Sequence, residues 1–148
     1  MKLVIQRVLK SSVAVSGQIV GQIGPGLCVL AGVAPTDTEA DIEQMAAKMV
    51  HLRIFADEAG KMNRSLLDVN GAALIVSQFT LLADCIHGRR PSFTGAGDPA
   101  RAERLYNLFL EKVAAFGVSV AHGVFGADMV VSLDNDGPAT FILEIPGK

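Results

Sequence analysis

Between residues 72 and 82 the only polar side chains are Ser77, Gln78 and Thr80. A run this apolar and this short has no face for water. It reads as a strand buried on both sides, with polar groups at one end. Such a strand lies inside a sheet, so the chain must supply flanking strands and layers that cover both faces.

The first third of the chain offers strands. Residues 2–10, 12–16, 18–23 and 27–33 are rich in Val, Ile and Leu, and Gly17, Gly21, Gly24-Pro25-Gly26 and Gly32 punctuate them. A helix is expected next, capped by Asp37 or Thr38, with Ile42, Met45, Ala46, Met49 and Val50 on one apolar stripe. A short strand around 52–55 and a turn over 57–60 follow. Asn70-Gly71 marks another turn before the buried strand. Residues 83–97 read as a surface loop. Asp98-Pro99 opens a second helix, with Leu105, Leu108, Phe109, Val113 and Phe116 as its buried stripe and Gly117 closing it. Strands are then expected over 118–122, 127–133 and 139–145. The order implies a mixed α/β fold. Its sheets form two layers or a partly closed barrel-like core, with two main helices packed on one side.

A chain of 148 residues is expected to form a single domain over 1–148. With 50% hydrophobic and 19% charged residues, it is no disordered segment. No apolar run approaches the roughly 18 residues of a membrane helix. Cys28 and Cys85 form no close motif and read as buried thiols of a reducing compartment. Together with an N-terminus that lacks a cleavage pattern, this predicts a cytoplasmic protein. A net charge of −2 argues against a protein that coats nucleic acid, and leaves room for a local basic patch. The densest one is Arg89-Arg90, with Arg101 and Arg104 downstream; charge by itself fits a solvated loop and helix face equally well.

Familiar catalytic devices are missing from the sequence. His51, His87 and His122 have no metal-ligand spacing. No nucleophile elbow or phosphate loop is present. Ser77 and Thr80 carry hydroxyls, but no base stands near them in sequence to activate either one. Both hydroxyls equally suit backbone groups at a strand end. An enzyme built this way would work by positioning and by backbone electrostatics.

Asn135-Asp136-Gly137-Pro138-Ala139-Thr140 stands between two strand-like runs, where a sharp turn is the simplest reading. Pro directly after Gly is unusual there, because Pro donates no hydrogen bond and fixes φ. From the residues themselves either isomer of the Gly137–Pro138 peptide is open.

Taken with Ser77-Gln78-Phe79-Thr80-Leu81, this segment resembles the second of the two signature motifs of the D-aminoacyl-tRNA deacylase family. Ile5-Gln6-Arg7-Val8, Gly24-Pro25-Gly26-Leu27, Gly88-Arg89-Arg90-Pro91-Ser92-Phe93 and Gly123-Val124-Phe125-Gly126-Ala127-Asp128-Met129 agree, so the similarity spans the chain. Ala139 departs from the family's usual Val, and Arg89 from a frequent Asn.

The resemblance implies a homodimeric cytoplasmic hydrolase without cofactor or metal. It would act on the aminoacyl-tRNA 3′ end and release D-amino acids, and glycine mischarged on a non-cognate tRNA. It implies a cis Gly137–Pro138 peptide, inserted into the partner's active site, in company with Arg7. Catalysis would rest on Ser77, Gln78, Phe79 and Thr80. Chiral selection would rest on Gly137 and Pro138, with Arg7, Phe125 and Ala139 beside them. Arg89, Arg90 and Arg104 are candidates for the tRNA backbone. Phe79 and Phe125 suit stacking on adenine, and equally suit core packing. The competing readings are a non-catalytic module for tRNA 3′ ends and a small-molecule esterase; the missing triad counts against the esterase.

Overall fold

The computed structural model describes residues 1–145. Its strands are β1 (Lys2–Val15), β2 (Gln18–Ile23), β3 (Gly26–Gly32), β4 (Phe55–Ala56), β5 (Met62–Arg64), β6 (Ala72–Ser77), β7 (Val120–His122) and β8 (Val130–Glu144). The helices are α1 (Glu39–His51) and α2 (Pro99–Ala115), and a 3-10 turn covers Phe79–Leu82.

The main sheet runs β2-β1-β3-β6-β7, with β8 on β1, while β4 and β5 pair separately. β1 is antiparallel to β2, β3 and β8; β6 is parallel to both β3 and β7. Parallel neighbours need long crossovers. The chain makes them with α1 between β3 and β6, and α2 between β6 and β7. Both helices therefore share one face and pack on each other.

The period of two along the strands divides the core. Leu27, Val29 and Ala31 of β3 and Ala73 and Ile75 of β6 meet the helices. Cys28, Leu74 and Val76 point the other way, toward Val8 and Val13. That second cluster fills the hollow of a sheet curled almost into a barrel. Closure shows at Gly21 of β2, where a Cβ would lie 2.7 Å from the His122 carbonyl oxygen of β7. Only glycine lets the two ends of the sheet come so close.

Local chemistry explains the helices. Thr38 caps α1: its hydroxyl accepts from the Asp41 N–H at 3.3 Å, and the Asp41 carboxylate accepts from the Thr38 N–H at 2.8 Å. Ile42, Met45, Ala46, Met49 and Val50 are all buried, as their spacing predicts. Asp98 caps α2 by accepting from the Arg101 N–H at 3.0 Å. Its buried face is Leu105, Tyr106, Phe109 and Val113. The expected stripe is corrected here: Leu108 is only partly buried and Phe116 is 42% exposed, its ring edge-on to His51. The buried face is turned toward Tyr106 and leaves Leu108 at its edge, while Phe116 lies beyond the last helical residue, Ala115.

Three further expectations are corrected. Residues 2–15 form one long strand, where two were expected over 2–10 and 12–16. Cys28 is buried, but Cys85 is exposed in the loop after the 3-10 turn. Asn135 to Thr140 is not a turn: β8 runs through it as one strand. Gln6 pairs with Thr140 and Val8 with Asn135, so Arg7 stands opposite the four residues 136–139. The segment is a large bulge. Gly137 sits there at φ +122° and its peptide to Pro138 is cis.

Candidate active site

β6 places Ser77 at the end of a strand buried on both faces, paired with Ala31 of β3. The Gln78 N–H still donates to the Ala31 carbonyl at 2.8 Å, and the chain then tightens into the 3-10 turn. Strand becomes turn at the point where the apolar run acquires its polar groups. Phe79 and Thr80 begin the turn, where N–H groups have no partner within it. The predicted strand over residues 72–82 therefore ends at Ser77.

The Gln78 side-chain amide donates to the Thr80 hydroxyl. An amide nitrogen has no lone pair to take a proton, so this contact does not activate the hydroxyl. Phe79 is 56% exposed and tilts against Phe93, with ring centroids 5.2 Å apart. Phe125, from the segment between β7 and β8, packs on Tyr106 at 5.8 Å.

Two cavities meet over this turn. One, of about 320 Å³, is lined by Ser77, Gln78, Phe79, Phe125, Asp128 and Met129 among others. The other, of about 270 Å³, shares Ser77, Gln78, Phe79 and Phe125 and continues over Val33, Ala102 and Tyr106. The second is almost wholly apolar. Tyr106 closes it, and its hydroxyl donates to the Ile75 carbonyl at 2.7 Å. Burial pushes the Tyr106 phenol upward, so it stays a donor. Among the described residues no group of three His, Cys, Asp or Glu is placed to hold a metal ion.

The structure thus gathers Ser77, Gln78, Phe79 and Phe125 around one cleft, with Thr80 one residue on in the turn. Gly137, Pro138, Arg7 and Ala139 are not there. β8 is three strand spacings from β6, at about 4.8 Å each, and Gly137 is level with a point about four residues below Ser77. Along the sheet the two motifs are roughly 20 Å apart. Arg7 instead organises the bulge. Its Nη1 donates to the Ile54 carbonyl at 2.7 Å and its Nη2 to the Asp136 carbonyl at 3.0 Å. Its Nε faces the Asp136 carboxylate at 3.2 Å, an ion pair outside hydrogen-bond alignment. Gly137 and Pro138 are exposed and Ala139 is buried beneath them.

Of the basic candidates, Arg89 and Arg90 lie exposed in the loop after the turn. Arg104 is paired with Glu39 at 2.7 Å across the two helices. Arg101 donates to the Pro35 carbonyl at 2.8 Å and also to that of Asp37, holding the loop before α1. Tyr106, Asp128 and Met129 are site residues that sequence reasoning left without a role. Only the phase of α2 in the folded state reveals Tyr106. Asp128 and Met129 lie in the stretch that carried the resemblance.

Residues 4–144 match the family model described as D-Tyr-tRNA(Tyr) deacylase. The D-aminoacyl-tRNA deacylase of Ruegeria pomeroyi is 57% identical over 145 residues, covering 98% of this chain and 100% of the relative. That of Deinococcus deserti is 54% identical over 146 residues, covering 99% and 100%. A solved structure described as c-Myc DNA Unwinding Element Binding Protein has a TM-score of 0.91 at 42% identity, covering 99% of this chain and 100% of its own. Another, described as a probable eukaryotic D-amino acid tRNA deacylase, has a TM-score of 0.84 at 19% identity, covering 97% and 98%, and shares the fold.

Proposed function

The chain belongs to the D-Tyr-tRNA(Tyr) deacylase family, whose curated relatives are named D-aminoacyl-tRNA deacylase, and we propose that it removes D-amino acids from tRNA by backbone recognition, without a protein nucleophile. It is a hydrolase of the ester between an amino acid and tRNA. The finer mechanism is our reading, and the observation that carries it is the cleft over Ser77, Gln78 and Phe79.

The cleft holds the 3′-terminal adenosine and its ester. The ester is already activated, so catalysis needs only a held carbonyl and donors where negative charge develops. The N–H groups of Phe79 and Thr80 are those donors, at the opening of the 3-10 turn. Ser77 and Gln78 orient ribose and ester. Water attacks the ester carbonyl, oriented by the adenosine's own 2′-hydroxyl; the bond from the carbonyl carbon to the 3′ oxygen breaks and the 3′ oxygen leaves with a proton from that water. The engagement of Thr80 with a side-chain amide supports leaving it out of the attack. Phe79 and Phe125 flank the adenine.

Chiral selection comes from Gly137 and Pro138 of a second copy. These residues are exposed on β8 and line neither cavity of their own chain. In a homodimer that seats each bulge in the other subunit's cleft, their carbonyls bind the substrate's α-amino group. The same backbone occupies the space into which an L side chain would project, while a D side chain points outward. Arg7 and the buried Ala139 hold that backbone in place. Glycine has no side chain to reject, so glycyl-tRNA is also cleared.

The test is one assay: matched D-aminoacyl-, L-aminoacyl- and glycyl-tRNA and a simple ester, each incubated with the protein. Clearance of the D and glycyl substrates, with the L form spared, is expected. Intact glycyl-tRNA at enzyme levels that clear the D form would refute the backbone filter. Binding of the RNA without any hydrolysis would assign the cleft to 3′-end binding alone.

A further inference from the structure

Residues 83–97 form a loop beside the cleft that the reaction does not explain. Its base is closed by a pair of backbone hydrogen bonds: Asp84 N–H to the Ser92 carbonyl at 2.9 Å, and Ser92 N–H to the Asp84 carbonyl at 3.0 Å. Its tip is shaped by the Asp84 carboxylate. That group accepts from the Ile86 N–H at 2.9 Å and faces His87 Nδ1 at 2.7 Å. His87 is the first cause of an Asp84 pKa below the ordinary carboxylate value. The loop therefore has an internal frame, yet what it displays is apolar and cationic. Ile86 is 85% exposed, Phe93 42% and Phe79 56%. Arg89 and Arg90 stand between Ile86 and Phe93, and residues 85–97 contain no acidic side chain.

We propose that Phe79, Phe93 and Ile86, with Arg89 and Arg90, form a platform for the unpaired nucleotides that precede the terminal adenosine of the RNA acceptor end. This rests on the deacylase reading and extends it from the reacting nucleotide to the strand behind it. Exposed aromatic faces interleaved with cations are the general means of holding single-stranded nucleic acid: bases stack on rings while phosphates meet arginines. Continuity fixes the occupant. Phe79 lines both cavities and its ring packs on Phe93, so the aromatic surface runs without a break from the cleft onto the loop that also carries the exposed Arg89 and Arg90. Aromatic and arginine side chains serve protein partners too; the occupant here is RNA because the surface adjoins a cleft that takes the RNA's terminal nucleotide, and residues 85–97 offer cations and no acid to a polyanion.

Two substrates with the same D-amino acid test this: an acceptor-stem RNA hairpin with its unpaired 3′ end, and the D-aminoacyl ester of adenosine. Phe93→Ala is expected to raise KM for the hairpin by about 5- to 150-fold, the range for one base–aromatic stack. The kcat/KM ratio of hairpin to adenosine ester should fall by a similar factor. Phe93→Leu, which keeps apolar packing on Phe79 and loses the π-face, should show most of that effect. Equal losses on both substrates, or none on either, would overturn the platform. An independent measurement places 2-aminopurine next to the terminal adenosine of an unacylated hairpin. Binding to the unaltered protein should change its fluorescence, and Phe93→Leu should abolish that change; identical signals would overturn the proposal. If the unaltered protein cleaves neither D-ester, the deacylase reading fails, while the fluorescence experiment still decides the platform.

Discussion

Arg7 and Gly137 meet across the bulge between β1 and β8: a Cβ on Gly137 would lie 2.8 Å from Arg7 Nη2. The guanidinium has little room to withdraw, because it also donates to the carbonyls of Ile54 and Asp136. Gly137→Ala should therefore destabilise the protein by about 1–3 kcal/mol, adding strain at φ +122° to the displaced arginine. Thermal unfolding should shift by about 2–4 °C per kcal/mol. In a double-mutant cycle with Arg7→Lys, the two costs should couple by about 0.5 kcal/mol or more. Additive costs would show that the two residues do not constrain each other.

Thr80→Ala removes the hydroxyl that accepts from the Gln78 amide and leaves the backbone donors of the turn intact. Turnover of D-aminoacyl-tRNA is expected to stay within about tenfold of the unaltered enzyme, the scale of a lost orienting hydrogen bond. Single-turnover rates measure this. Loss of all hydrolysis with unchanged RNA binding would make Thr80 the nucleophile.

Tyr106→Phe keeps the ring against Phe125 and removes the donor to the Ile75 carbonyl. The cost of that unsatisfied buried carbonyl should be about 1–3 kcal/mol, read from denaturant unfolding. A neutral result would mean that water reaches the carbonyl. Because β6 carries Ser77 two residues further on, the turnover of the variant should also fall.

Arg90 is exposed on the loop, whereas Arg104 is spent on Glu39. Arg90→Glu should weaken binding of the RNA hairpin and flatten its dependence on salt, since a phosphate that the protein no longer neutralises keeps its counterion. Arg104→Glu should act mainly on stability, by placing like charges across the helices. Equal effects of both on the salt slope would return Arg104 to the nucleic-acid surface.

Native thiol labelling distinguishes the cysteines. Cys85 is exposed and should react at once. Cys28 is buried, and burial pushes its thiol above the ordinary value, so it should react only on unfolding. Rapid reaction of both would contradict the packing of Cys28 against the inner face of the sheet.

Residues near each other in sequence carried their own local structure. Thr38 with Asp41, and Asp98 with Pro99, are enough to start the two helices, because a cap is satisfied within one turn. The apolar run before Ser77 implied a strand covered on both faces, and β6 is one. The two motifs that carry the family were legible as well, since each is a short run of neighbouring residues. Long-range pairing decided the rest. Asn135 to Thr140 has the residues of a turn, but β1 is long enough to pair on both sides of it, so the ladder absorbs the extra residues as a bulge opposite Arg7. Tyr106 joined the site because the face that α2 buries includes it, and Phe116 left the core because the helix ends before it, at Ala115. The separation of Gly137 from Ser77 is likewise a property of strand order, which no local pattern encodes. Local rules name the residues, and only the closed network of strand pairs sets which of them share a site.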